Sequence, residues 1–178
     1  MPAFVALLRG INVGKAKRVA MADVRRIVQD LDCTDVATLL NSGNVVFQHP
    51  KTPSAKVAAK LAAAFAAQLK FAVPVVVKSS AEFVAVLNEN PFAYQISDPS
   101  RLLVAFTQES KALTALSSLA PQASPFEQFA VGKHAAFLHC PEGIVQGKVG
   151  TALLGKSGQS VTTRNWATCL KLYTLLKP

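Results

Sequence analysis

The feature that most constrains the fold of this chain is the order of apolar runs over its first eighty residues. Phe4 to Leu8 (FVALL) is a short continuous apolar stretch, the pattern of a strand buried on both faces. After the loop Gly10–Arg18, the residues Met21, Val24, Ile27 or Val28, and Leu31 recur at helical spacing. Val36–Leu40 and Val45–Phe47 then flank Asn41-Ser42-Gly43-Asn44, a composition suited to a hairpin connection in which Gly or Asn takes positive φ. Ser54 is a candidate N-cap for a helix reaching about Lys70, with Val57, Leu61, Phe65 and Leu69 on one face. Val73–Val77 follows as a strand, and Pro74 places it at a sheet edge or at the strand's first residues. The order β-α-β-β-α-β is the split pattern of a ferredoxin-like domain.

The second half carries a related α+β unit. Ser80 is expected to cap a helix from Glu82 to about Asn88, and a strand is expected at Leu102–Phe106. Lys111–Leu119 forms a short helix in this reading. A hairpin pairs Phe129–Val131 with Ala135–Cys140 around Gly132-Lys133, and Val149–Leu154 makes a helical turn. A last helix, capped by Thr162 or Thr163, should end near Leu176. The expected subdomains are residues 1–80 and 81–178, with the boundary near residues 79–90.

Of the 178 residues, 51% are hydrophobic and 16% charged, which excludes a disordered tail and a disulfide-dependent miniature scaffold. The net charge of +9 favours anionic partners: nucleic acid, acidic lipid headgroups or anionic small molecules. Beyond Glu142 the only charged side chains are Lys148, Lys156, Arg164, Lys171 and Lys177. They are single and spaced, as on an ordinary solvated basic surface. Cys33, Cys140 and Cys169 lack paired spacing and read as cytosolic thiols. The opening MPAFVALLRG lacks a basic n-region followed by a cleavable apolar stretch, and no apolar run is long enough to span a bilayer, so a cytoplasmic protein is expected.

The motifs ALLRGINVG (Ala6–Gly14), Met21, NSGNVVF (Asn41–Phe47), NPF (Asn90–Phe92) and TTRNWATCLKL (Thr162–Leu172) together make the chain resemble the bacterial domain-of-unknown-function family 1697 over its whole length. The resemblance implies two α+β subdomains of ferredoxin-like character. It implies no substrate, cofactor or mechanism. Two departures bear on any anion site: Lys15 stands where the family usually has a second glycine, and Gly147-Lys148-Val149 stands where it tends to have Ser-Lys-Leu.

The chemistry-bearing candidates cluster in three segments. Arg9, Gly10, Asn12, Gly14 and Lys15, with Lys17 and Arg18, lie between a strand and a helix, where loop N–H groups and a helix start can hold an anion. The alternative for this loop is purely structural, with Asn12 capping backbone groups and the glycines permitting the turn. Asn41, Ser42 and Asn44 are either ligand-contacting groups or turn residues. Arg164 and Asn165 open the expected last helix, where a guanidinium beside the positive end of the helix dipole calls for an anion or a carboxylate, and Trp166 is expected in the core. Arg9 and Arg164 are expected to face each other across one electropositive cleft near the Asn41–Asn44 turn.

Other patterns carry less. GTALLGKS (Gly150–Ser157) matches the P-loop expression formally, but Thr151–Leu154 look helical rather than loop-like. The histidines His49, His134 and His139 form no metal pattern, Asp30, Asp32 and Asp35 read as a solvated helix end, and no metal or cofactor is expected. Three functions remain open: a module binding an anionic small molecule or nucleic acid, a small enzyme acting on a phosphorylated or carboxylated metabolite, and a structural or partner-binding protein. The strands lack the basic and aromatic interleaving of an RNA-binding sheet, and the enzyme reading lacks a credible nucleophile or base.

Overall fold

A computed structural model describes residues 1–176 of the chain, so Lys177 of the basic series lies outside the described residues. The chain divides into two compact units, Met1–Phe83 with the chain from Leu172 onward, and Val84–Lys171. The first contains β1 (Ala3–Leu8), α1 (Met21–Gln29), β2 (Thr34–Leu39), β3 (Asn44–Gln48), α2 (Ser54–Leu69) and β4 (Val75–Ser79). Its sheet is antiparallel in the order β2-β3-β1-β4, which makes it ferredoxin-like and puts β4 on an edge. Pro74, immediately before β4, lacks only a donor, and its carbonyl accepts the Arg9 N–H at 2.9 Å.

Strand alternation sorts β1 into two faces. Phe4, Ala6 and Leu8 join Val45, Phe47 and Val77 beneath α1 and α2, packed against Val24, Ile27, Val28, Val57, Leu61 and Phe65. On the opposite face Val5, Leu7, Val46 and Val76 are buried as well. An FVALL run with no polar residue on either side of the pleat is what such a doubly covered strand requires.

The second unit repeats the arrangement with β5 (Leu102–Thr107), α4 (Ser110–Leu116), β6 (Gln128–Val131), β7 (Ala135–His139), α5 (Lys148–Leu154) and β8 (Val161–Asn165). Its order, β6-β7-β5-β8, is the same. Ala105, Ala136, Leu138 and Val161 pack with Leu113, Leu116, Val149 and Leu153 of the helices, while Val104, Phe106 and Phe137 are buried on the other face. Two further helices, α3 (Ser80–Asn88) and α6 (Trp166–Leu176), follow β4 and β8, and the division between units falls within each of them. Among the described residues no helix is long and apolar enough to cross a membrane.

The details correct three capping expectations. Residues Val161–Asn165 are a strand, with Val104 opposite Arg164 and Phe106 opposite Thr162, so Thr162 and Thr163 do not cap α6. That helix begins at Trp166, and the Asn165 Oδ1 accepts the Thr168 N–H at 2.9 Å. For α3 the cap is Ser79 rather than Ser80: Ser79 Oγ accepts the Glu82 N–H at 3.3 Å and Glu82 Oε2 accepts the Ser79 N–H at 2.7 Å, a reciprocal capping box. Ser54, the first residue of α2, donates its hydroxyl to the same Glu82 carboxylate, and Pro53 takes the N-cap position.

A second carboxylate organises the other unit. Glu127 Oε2 accepts N–H groups of Ser124 at 2.8 Å and Val149 at 3.2 Å, and Oε1 accepts that of Gly150 at 2.9 Å, at the start of α5. A Cβ on Gly147 would lie 1.9 Å from the same carboxylate. GTALLGKS is therefore mostly helix: Gly150 to Leu154 lie in α5, and a Cβ on Gly150 would meet the Ile144 carbonyl oxygen at 1.9 Å. Gly150 serves packing, and Gly155 is the C-cap of α5.

Two outcomes follow from these contacts. Gly43 has φ of +83°, and a Cβ there would lie 2.6 Å from the Leu8 Cβ. Gly43→Ala should cost about 3 kcal/mol from left-handed strain and overpacking together, read by denaturant unfolding; a loss under about 1 kcal/mol would show that the hairpin tip yields easily. Burial raises the Glu127 pKa, but the Gly150, Ser124 and Val149 N–H groups outweigh it and hold the carboxyl below its ordinary value. A depressed folded pKa means stability that is complete above the unfolded value near ~4.3 and lost as pH falls through the folded value. The advantage of wild type over Glu127→Gln should therefore be largest at neutral pH and shrink below about pH 4, as measured by unfolding at a series of pH values. A pH-independent difference would show that the charge contributes nothing.

Candidate functional site

The loop between β1 and α1 is held at both ends by apolar anchors. Ile11 and Val19 are buried, while Lys15, Lys17 and Arg18 are exposed and Val13 is 71% exposed at the tip. Between the anchors one side chain does most of the fastening. Asn12, itself in a left-handed conformation at φ of +55°, accepts the Val19 N–H at 2.8 Å through Oδ1. Its Nδ2 donates to the Val19 carbonyl at 2.9 Å and to the Asn41 carbonyl at 2.8 Å. The carboxamide thus closes the loop on itself and staples it to the tip of the β2–β3 hairpin. The asparagine side chain suits both tasks, since it tolerates the left-handed backbone and carries a donor and an acceptor.

Around that staple lies a cleft of about 420 Å³ lined by Asn12, Arg18, Val19, Ala20, Met21 and Asn41. Ala20 is the N-cap of α1 and offers no side-chain cap, although its carbonyl accepts the N–H groups of Asp23 and Val24. The N-terminal end of this nine-residue helix therefore borders the cleft without a side-chain cap, and the exposed Asp23 carboxylate lies in its first turn. Among the described residues Arg18 forms no ion pair. The lining holds an exposed guanidinium, two carboxamides and a helix start, with no carboxylate, imidazole, thiol or hydroxyl.

The other sequence candidates fall into different roles. Gly10 and Gly14 form open turns of the same loop. Arg9 follows the last residue of β1, half-buried, and burial lowers its pKa. Lys17 lies over the Phe71 ring at 5.7 Å, an attraction that holds the loop's outer limb. In the hairpin the connection is residues 40–43, with positive φ at Leu40 and Gly43, and Asn44 is already in β3. Asn44 is fully buried and donates to the Leu39 carbonyl at 2.9 Å and the Ser42 Oγ at 3.0 Å. Ser42 and Asn44 thus build the turn, while Asn41 lines the cleft.

Arg164 and Asn165 belong to the second unit. Arg164 stands in β8 rather than at a helix start, so the argument from an opposing helix dipole does not apply to it. Its guanidinium is buried on the sheet face that also carries Val104 and Thr162, and donates to Thr162 Oγ1 at 2.9 Å and the Thr163 carbonyl at 2.8 Å. Burial pulls its pKa down to about 10, with Cys169 opposing the shift. Trp166 is buried. Cys33, Cys140 and Cys169 are unpaired and buried, and burial raises each thiol pKa, that of Cys169 to about 12.

Sequence reasoning grouped Arg18 with the loop without singling it out. The signal was present in its position two residues before the helix cap, but which loop cation borders the cleft depends on how the loop closes at Asn12 and Val19. Replacing Asn12 with Gly keeps the left-handed backbone and removes the staple. The Val19 amide should then exchange with solvent at least about tenfold faster, read by hydrogen–deuterium exchange, while core amides of β1 keep their protection. Unchanged exchange at Val19 would assign the loop's order to Ile11 and Val19 packing alone.

The whole chain is similar in fold to the conserved bacterial protein SP0830 from Streptococcus pneumoniae, with a TM-score of 0.82, 27% sequence identity and 99% of each chain covered. Comparison with curated proteins gave no match. The model of the family described as "Protein of unknown function (DUF1697)" matches residues 1–137, and the chain belongs to that family.

Proposed function

We propose that the chain is a cytoplasmic module that binds a small anionic ligand, one bearing a phosphate or carboxylate, in the cleft between the Gly10–Arg18 loop and the β2–β3 hairpin. The observation that carries this reading is the convergence of the Arg18 side chain, the Asn41 side of the hairpin and the uncapped start of α1 on one cleft of about 420 Å³. That volume suits a metabolite rather than a polymer. A guanidinium supplies a fork of donors for a planar or tetrahedral anion, and the helix start adds N–H groups and partial positive charge. Arg9 and Lys15 add charge to the same loop, and three unpaired thiols agree with a reducing compartment.

Two features favour small-molecule binding over the alternatives. A single-stranded nucleic acid laid on a split β-α-β sheet needs an open face bearing stacking aromatics. Here both faces of β1 are buried and aliphatic apart from Phe4. An enzyme would need an acid, base or nucleophile at the ligand, and the cleft lining has none.

Thermal unfolding in inorganic phosphate, sulfate and mononucleotides tests the reading. At least one of these anions should raise the wild-type Tm in a saturable way, and Arg18→Ala should lose most of the shift. Arg25→Ala, an exposed change within α1, should keep it. A short oligonucleotide should bind only weakly, with affinity falling steeply as salt rises. An equal anion response in wild type and Arg18→Ala would overturn the site, and tight salt-resistant oligonucleotide binding would favour the nucleic-acid reading instead.

A further inference from the structure

A second cavity, of about 260 Å³, lies within the first unit and shares no residue with the cleft. One wall is the sheet face turned away from α1 and α2. Val46 belongs to that face, and Ala3 and Gln48, directly opposite each other on β1 and β3, continue it. The end of α6 supplies another wall through Leu175 and Leu176. Two of the lining residues, Met1 and Leu175, are large apolar groups that stand 63% and 43% exposed.

The one charged side chain in the lining is Asp35, and an irregularity of β2 brings it there. Thr34 stands opposite Gln48 and Ala37 opposite Val46, so β2 has two residues, Asp35 and Val36, where β3 has Phe47 alone. Val36 keeps its place in the core beneath the helices, and Asp35 is the extra residue, in a left-handed conformation at φ of +50°. A bulge and a charge on an edge strand deter pairing with another chain. Edge protection does not call for a cavity, nor for the two further polar side chains, Gln48 and Ser80, that line it with Asp35. Among the described residues no protein cation pairs with the Asp35 carboxylate.

We propose that this cavity binds a small primary ammonium ion carrying a short hydrocarbon chain, a ligand opposite in charge to the one the cleft would take. A primary ammonium has three N–H donors, and the lining holds three kinds of acceptor for them: the Asp35 carboxylate, the Gln48 carboxamide oxygen and the Ser80 hydroxyl. The hydrocarbon chain lies against Val46, Leu175 and Leu176. The volume suits a ligand of a few heavy atoms rather than a nucleotide. An anion would face Asp35, and a neutral alcohol would leave that charge without a counter-ion. Ser80 opens α3, whose positive end would oppose a cation, but the Glu82 carboxylate lies in that helix's first turn, accepts the Ser79 N–H at 2.7 Å and offsets it.

Titration of the full chain with n-butylammonium, n-butanol and butyrate at one ionic strength, followed by NMR at the Gln48 side-chain NH₂ and the Ser80 amide, tests the assignment. The expected result is a saturable shift with n-butylammonium, about tenfold weaker binding of n-butanol and no saturation with butyrate. Ethylammonium, two methylenes shorter, should bind at least about threefold more weakly than n-butylammonium. Asp35→Asn keeps the size of the side chain and tolerates the left-handed backbone, and should lose about tenfold in affinity for n-butylammonium. Asp32→Asn, the same change at an exposed left-handed position outside the lining, should keep wild-type affinity. No saturable shift with n-butylammonium, equal affinity for n-butanol, or an unchanged affinity in Asp35→Asn overturns the proposal.

Discussion

Everything else in each unit is arranged around a central strand that is apolar on both faces. β1 buries Phe4, Ala6 and Leu8 on one side and Val5 and Leu7 on the other; β5 buries Ala105 on one side and Leu102, Val104 and Phe106 on the other. A strand of this kind cannot sit in a sheet with one wet face, so two helices alone cannot complete either unit. The consequence for function is direct. With both faces of the central strands given over to burial, those strands offer no open surface of their own, and in the first unit the β1–α1 loop and the β2–β3 tip meet at one strand end.

Carboxylates are the second organising element. Glu82 receives N–H and hydroxyl donors from Ser79 and a hydroxyl from Ser54, Glu127 collects the N–H groups of Ser124, Val149 and Gly150, and Glu89 accepts those of His134 at 2.8 Å and Ala135 at 3.0 Å in the β6–β7 turn. With Asp98, which accepts the Ser100 N–H at 2.9 Å and its hydroxyl at 2.6 Å, four of the ten acidic side chains are hydrogen-bonded by the protein's own donors among the described residues.

The first unit was legible in the sequence because its signals are local and agree with one another. FVALL, the Met21–Leu31 period, the Gly43 turn and the alanine-rich α2 each point to one element, and together they give one topology. The second unit was legible except for its last strand. Val161-Thr162-Thr163 carries β-branched residues, but two threonines before a helix also look like caps, and the choice depends on the partner strand β5 lying fifty-odd residues away. Arg164 was misplaced by the same ambiguity, since a cation at a helix start and a cation inside a strand are identical in sequence. Glu127 was invisible as an anchor because its donors at Val149 and Gly150 are distant in the chain, although Ser79-Ser80-Ala81-Glu82 did carry the spacing of a capping box.

The candidate site was legible as a loop but not as a cleft. Gly10 and Gly14 announce a turn, and Lys15, Lys17 and Arg18 announce charge, yet the cleft depends on the Asn12 bond to the Asn41 carbonyl and on Ile11 packing at Gly43, contacts that join loop to hairpin across some thirty residues. The same bond explains why the hairpin residues separate into two kinds. Asn44 turns inward and spends its amide on Leu39 and Ser42, whereas Asn41 gives its backbone oxygen to Asn12 and lines the cleft. In the proposed binding mode a ligand would meet carboxamides and a cation on a support fastened by Ile11, Val19 and Asn12. The lining Asn12, Arg18, Val19, Ala20, Met21 and Asn41 offers a guanidinium and two carboxamides and carries no carboxylate, imidazole, thiol or hydroxyl, and the proposed binding role rests on that composition.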